Sequence, residues 1–154
     1  MFKLSKKNVV RTAVVAAVGM ALALFALPAN ASTSFYLEMD KGQTLTSGSF
    51  VWVYPTDDDG TDEVKFIMLS NGNLEENMYS TSGAFMYYCW AANTSGAGNY
   101  ATYQKSNGAL IVFNEVGTPL WSSGATGGST VSLNSSDGAL FVGTKRITSS
   151  CVTY

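Results

Sequence analysis

Residues 107–128 read NGALIVFNEVGTPLWSSGATGG: a turn dipeptide, an apolar run, a second turn, a single Trp, then Gly, Ser and Thr. Asn-Gly ahead of β-branched and aromatic residues marks a turn that feeds a strand. The unit has relatives within the chain. LSNGNLEEN (69–77), KSNGALIVF (105–113) and SSDGALFVG (135–143) share it, with Gly72, Gly108 and Gly138 spaced by 36 and 30 positions. Two of the three lead to matching segments, WAANTSG from Trp90 and WSSGATG from Trp121. A repeat of this length is one supersecondary unit that cannot bury its own apolar face, so three units are expected to pack around a shared centre. Trp90 and Trp121, at matching phase and with large apolar area, are its expected occupants.

Outward from these units the pattern stays the same. SFVWVY, VKFIML, AFMYYCW, NYATYQ, TVSL and ALFV are short runs rich in β-branched and aromatic residues, separated by turn clusters such as TSGAGN and SSDG. No window after residue 31 places apolar residues at helical spacing behind a cap. The reading is an all-β domain, a sandwich or a barrel-like assembly.

The first 31 residues read differently. Lys3, Lys6, Lys7 and Arg11 precede a 16-residue apolar run (12–27) and the small-residue sequence PANA, the pattern of a secretory signal peptide cleaved after Ala31. The competing membrane anchor would need roughly 20 apolar residues and a stop-transfer pattern. Residues 32–154 are then expected to be one secreted, extracellular domain. Loss of the leader takes four of nine basic residues and none of the eleven acidic ones, so the expected net charge is −6. An acidic domain of this kind is a poor partner for nucleic acid or, once the leader is gone, for an anionic membrane. Export also places Cys89 and Cys151 in an oxidising compartment, where one disulfide is expected; the alternative is two buried thiols that never meet.

With the three turns and two Trp segments in hand, the chain resembles the bulb-type mannose-binding lectins of monocot plants and bacteria. GQTLTSGSF (42–50) is similar to that family's opening strand, and WAANTSG to its W-A-S-N-T segment. The resemblance implies a β-prism of three antiparallel sheets with pseudo-threefold symmetry. It also implies a non-catalytic, carbohydrate-binding function, with a mannose-containing glycan as partner and no cofactor. Family members often dimerise by strand exchange, which leaves a homodimer open. The family's ending carries a Trp where this chain has Ile147, so the implied centre is Trp90, Trp121 and Ile147, with Trp52 a candidate to fill the space left.

Family members hold a mannose in each repeat with Gln-x-Asp-x-Asn-x-Val-x-Tyr, and alternation puts all five on one strand face. Here the five positions are Leu69, Asn71, Asn73, Glu75 and Asn77 in the first unit. They are Lys105, Asn107, Ala109, Ile111 and Phe113 in the second, and Ser135, Asp137, Ala139, Phe141 and Gly143 in the third, where Val142 competes for the last place. The resemblance therefore points to degenerate sugar sites, with Lys105, Asn107, Ile111, Phe113, Asn71, Asn73 and Asp137 as the ligand-binding remnants. Each polar partner lost leaves a sugar hydroxyl unpaired, at about 1–3 kcal/mol.

Two segments fall outside the family pattern. PTDDDGTDEV (55–64) crowds Asp57, Asp58, Asp59, Asp62 and Glu63 around Gly60. Calcium favours such oxygens, but the spacing is not that of a calcium loop, and a solvated turn guarding an edge strand is the reading adopted, with no metal. ENMYSTSGAFMYYCW (76–90) is unusually aromatic; alternation sends Phe85 and Tyr87 to one face, Met86 and Tyr88 to the other, one for the core and one for a partner or second subunit. The chain has no His, which removes the Ser-His-Asp and Cys-His arrangements. Glu75, Glu76 and Glu115 are not placed at a hydrolase separation by anything in the sequence, so no enzymatic activity is expected. The alternative to sugar binding is the same scaffold used for protein–protein interaction, or a bacteriocin-like protein.

Overall fold

The computed structural model describes residues 32–57 and 61–152. The expected leader (1–31) and the centre of the acidic run, Asp58, Asp59 and Gly60, lie outside the described residues. Among the described residues there are strands and turns and no helix. None is a helix long and apolar enough to cross a membrane.

Among the described residues thirteen strands build three sheets. The first holds β1 (Ser34–Tyr36), β4 (Phe50–Val53), β5 (Glu63–Met68), β6 (Leu74–Tyr79) and β7 (Phe85–Ala91), in the order β1-β4-β5-β6-β7. The second is β10 (Pro119–Ser122), β9 (Leu110–Phe113), β8 (Tyr100–Tyr103) and β3 (Thr44–Leu45), in that order. The third is β13 (Lys145–Arg146), β12 (Leu140–Val142), β11 (Thr130–Leu133) and β2 (Glu38–Asp40). This is the expected all-β prism of three sheets, with one departure from pure antiparallel pairing. β1 runs parallel to β4, with Ser34 opposite Phe50 and Tyr36 opposite Trp52. Parallel neighbours need a long crossover, and here the chain supplies it by passing through the other two sheets as β2 and β3 before it returns as β4. Leu37, at φ 65°, makes the corner: its N–H donates to Trp52 O and its carbonyl accepts from Leu133 N–H, both at 2.9 Å.

Alternation aims one face of each sheet at a common core. β5 buries Val64, Phe66 and Met68 while Glu63, Lys65 and Ile67 stay half-buried, and β9, β11 and β12 repeat the pattern with Leu110, Val112, Val131, Leu133, Leu140 and Val142. Trp90 and Trp121 meet edge to face with ring centroids 5.2 Å apart, and both pack with Ile147 against the core. They form its half-buried margin rather than its middle, where Phe66, Tyr103, Leu45 and Met39 lie. Trp52 is no filler for that centre. It points outward from β4 between Tyr36 and Tyr54, at centroid distances of 4.8 and 5.3 Å, because its neighbours Val51 and Val53 take the inward positions.

Cys89 and Cys151 are joined, with Cα atoms 5.5 Å apart and 62 positions between them in sequence. The simple alternation expected for β7 is broken by its bulges against β6, one between Glu76 and Asn77 and one between Met78 and Tyr79. Phe85 and Tyr88 therefore pair with Tyr79 and Asn77, while Tyr87 pairs with Met78 and packs against the core. Phe85, Met86 and Tyr88 remain exposed on this edge strand. β-bulges at an edge re-aim side chains and discourage further pairing.

Candidate functional site

The three repeats are most alike in their turns. Asn71, Asn107 and Asp137 each accept, through Oδ1, the backbone N–H two residues on, at 2.9, 3.0 and 3.1 Å. The carbonyl of each accepts an N–H from the segment that closes its repeat: Gly96 at 2.7 Å, Gly127 at 3.0 Å and Cys151 at 2.9 Å. Such Asx turns are local substitutes for backbone pairing. These three side chains, read from sequence as sugar contacts, thus have one lone pair committed to shaping the hairpin.

Hairpin length separates the repeats. Leu69 N–H bonds Asn73 O, whereas Gln104 N–H bonds Ala109 O and Asn134 N–H bonds Ala139 O, so the first hairpin is one residue shorter. Gln104 and Asn134, not Lys105 and Ser135, occupy the corner that Leu69 holds in the first repeat. Lys105 stands exposed in the lengthened turn, its stem against Gly42. The sequence signal was available: counted back from the Asx-Gly pair, the strand partner stands one residue further away in the second and third units.

In the second repeat Ala109 has no polar group to offer, Ile111 is half-buried, and Phe113 stacks on Tyr100 with centroids 5.3 Å apart and planes 22° apart. That strand face is apolar. In the third, Arg146 donates to Asp137 Oδ2 at 2.9 Å, and its guanidinium lies 5.7 Å from the Phe141 ring centroid. Phe141 faces outward and Val142 is fully buried opposite Val131, so Gly143 falls at the last of the five positions. The chain's own Arg146 thus covers the third repeat.

The first repeat differs. Asn73, immediately before β6, and Asn77, within it, lie on either side of Glu75. Asn73 Nδ2 donates to Glu75 Oε1 at 2.8 Å and Asn77 Nδ2 to Glu75 Oε2 at 2.9 Å. Asn73 Oδ1 accepts the Thr94 N–H at 2.9 Å, which fixes its amide. Asn73 is 7% and Asn77 2% exposed, and Asn77 Oδ1 is a buried acceptor without a hydrogen bond. Across the sheet Lys65 stands opposite Asn77, but its ammonium is engaged by Glu63 at 2.8 Å and lies 5.0 and 4.9 Å from the Phe50 and Tyr79 ring centroids. The result is a carboxylate oriented by two amides, at the positions matching the family's Asn, Val and Tyr. Glu75 and Asn77 were passed over as ligands in the sequence because they break the family pattern; their regular i, i+2 spacing was the signal that they share a face with Asn73.

On the opposite face of β6, Glu76 is fully buried, and burial pushes its carboxyl up to about 8. The nearby Asp137 carboxylate raises it further, while the Thr148 hydroxyl and the Arg146 guanidinium act the other way. Among the described residues no group of three His, Cys, Asp or Glu is placed to hold a metal ion. Asp57 instead accepts from Ser136 Oγ at 2.6 Å, docking the acidic hairpin on the third turn.

The geometry finds counterparts among known folds. A lectin from Allium sativum superposes with a TM-score of 0.51 at 28% identity, over 68% of this chain and 90% of that one. The lectin of Marasmius oreades does so with a TM-score of 0.52 at 13% identity, over 76% of this chain and 92% of that one. A mannose-specific bulb lectin from Scilla campanulata gives 0.49 at 23% identity, over 64% and 84%. No protein-family model and no curated protein sequence matches the chain. On the first two superpositions the chain has a diverged bulb-lectin-like β-prism fold.

Proposed function

We propose that this chain is a secreted, non-catalytic glycan-binding protein whose sugar site is the first repeat, with a mannose-containing glycan as the ligand class. One observation carries the reading: Glu75 held by Asn73 and Asn77 on the outward face of β6. A carboxylate accepts up to about four hydrogen bonds, and two are in place; adjacent sugar hydroxyls are donors of the right spacing for the remainder. Charge-assisted bonds of this kind are roughly twice as strong as neutral ones, which offsets the loss of the family's phenol and apolar contact. Likeness to lectins supports sugar recognition in general, and the sequence resemblance supports mannose.

A glycan array on the chain beginning at Ser32 tests this. Glu75→Gln and Asn77→Ala are expected to weaken binding at least about tenfold, roughly the loss of one charge-assisted hydrogen bond. Asn107→Ala should leave it unchanged. Binding that survives Glu75→Gln, or that Asn107→Ala abolishes, moves the site to the second repeat. A chain that binds no glycan but recovers a protein partner through the exposed Phe85, Met86 and Tyr88 supports the second reading, a lectin scaffold used for protein interaction.

A further inference from the structure

The fold uses only half of the stretch SFVWVY (49–54). Val51 and Val53 are buried in the core, so alternation along β4 turns Phe50 and Trp52 to the other side, and Tyr54 follows past the strand's end. Tyr36 of β1 stands opposite Trp52 and adds a fourth ring. Trp52 meets Tyr36 and Tyr54 edge to face, at centroid distances of 4.8 and 5.3 Å. Tyr36 is 58% and Tyr54 43% exposed, while Phe50 and Trp52 are half-buried. A single exposed ring needs no explanation; a run of them along one sheet face does.

The register of the first sheet ties this ladder to Glu75. Glu75 on β6 stands opposite Ile67 on β5, and Ile67 opposite Phe50 on β4. In the next row Asn77 stands opposite Lys65, and Lys65 opposite Trp52. Both rows lie on the face that carries Glu75, and each crosses two strand spacings, about 10 Å. The face therefore runs from a carboxylate with accepting capacity left, over the half-buried Ile67, to flat rings. Lys65, between them, is already paired with Glu63, and the ladder carries no charge of its own. Such a strip suits a neutral ligand built of rings, with hydroxyls on the rim and C–H groups on the faces, and it is longer than one sugar.

Two other occupants fit less well. β4 lies between β1 and β5, so its backbone is paired on both sides and cannot take an added peptide strand. Aromatic side chains carry about 150–250 Å² each, so four at these exposures offer at most roughly 400 Å², against about 800 Å² per partner in a stable protein interface.

We propose that the ladder of Phe50, Trp52 and Tyr54, with Tyr36, is the second half of an extended site. The ligand is an oligosaccharide that places the hydroxyls of one unit on Glu75 and lays the apolar face of a later unit on Trp52. The polar end rests on the glycan reading above, and the test separates the two.

Linear mannose oligosaccharides of one to five units, titrated into the 15N-labelled chain, supply that test. The ratio of the affinities for three units and for one is expected to be at least about fivefold in the unaltered chain, with little further gain beyond three. In Trp52→Ala the ratio is expected to fall to within about twofold of unity, and Tyr54→Ala, beyond the end of β4, to lower it in part. The Trp52 indole N–H resonance, identified by its absence from Trp52→Phe, should move with the trisaccharide and stay still with the monosaccharide. Affinity independent of length, or a gain that survives Trp52→Ala, overturns the ladder and leaves the Glu75 site standing. A gain lost in Trp52→Ala, with both affinities untouched by Glu75→Gln, keeps the ladder and removes the carboxylate from the site. Absence of binding at every length overturns both. If Trp52→Ala does not fold, Tyr54→Ala and the indole resonance of the unaltered chain decide.

Discussion

Gly108 shows what a single residue contributes to a repeat. Its φ is +70°, and a Cβ there would meet the Gly127 carbonyl at 2.5 Å, a backbone atom that cannot step aside. Gly83, at φ +79°, has nothing within 4 Å of its would-be Cβ. Left-handed backbone costs an L-residue roughly 1–2 kcal/mol by itself. Gly83→Ala is therefore expected to lose about 1 kcal/mol in urea unfolding, and Gly108→Ala at least about twice that, since it adds a backbone clash to the same strain. Equal losses would mean that the close approach of the two turns relaxes freely. Asn73 makes the complementary point with a polar side chain: its amide oxygen bonds the Thr94 backbone and its nitrogen bonds Glu75. Its place among the candidate site residues was legible in the sequence. That it also fastens one segment of the repeat to another was not, because the Thr94 partner stands 21 positions away.

At the scale of elements, the C-terminal segment 147–152 and the N-terminal strands do opposite jobs with similar economy. β1, β2 and β3 each add one strand to a different sheet, so residues 34–45 stitch the prism together without a core of their own. The C-terminal segment closes it from the other end through the Cys89–Cys151 disulfide. Cross-linking residues 62 apart removes loop entropy from the unfolded chain worth roughly 4 kcal/mol. Cys89→Ser with Cys151→Ser is expected to lower unfolding free energy by about that amount while leaving far-ultraviolet dichroism unchanged, since the sheets do not depend on the bridge. Loss of sheet signal would show that the bridge is needed to form the prism, not only to hold it. The Asx-Gly turns and the strands after them were readable from composition and spacing. β1, β2 and β13 were not: they are two or three residues long, too short for alternation to register, and their partners are distant in sequence. The lengthened second and third hairpins were misaligned by one residue for a related reason, since only backbone pairing shows which residue closes a turn.

For the whole molecule, a three-sheet prism has a single interior, and any ionisable group placed there is felt by all of it. Leu74, Glu76 and Met78 alternate on one face of β6, so simple periodicity already puts a carboxyl in that interior. Its proton leaves near 4.5 in the unfolded chain and near 8 in the folded one. Between those values the native state holds the extra proton, so unfolding free energy falls as pH rises through this window and levels off above it. The shift is worth up to about 5 kcal/mol between its two limits. Urea unfolding at pH 4, 6, 7 and 9 is expected to show the unaltered chain losing several kcal/mol across the series. Glu76→Gln, neutral at every pH, should lack this component and overtake the unaltered chain as pH rises. The difference between the two chains isolates Glu76 from the remaining carboxylates, whose contributions are common to both. Parallel curves would place its proton loss at an ordinary carboxylate pH, and would require the carboxyl to have found water or a partner inside the fold.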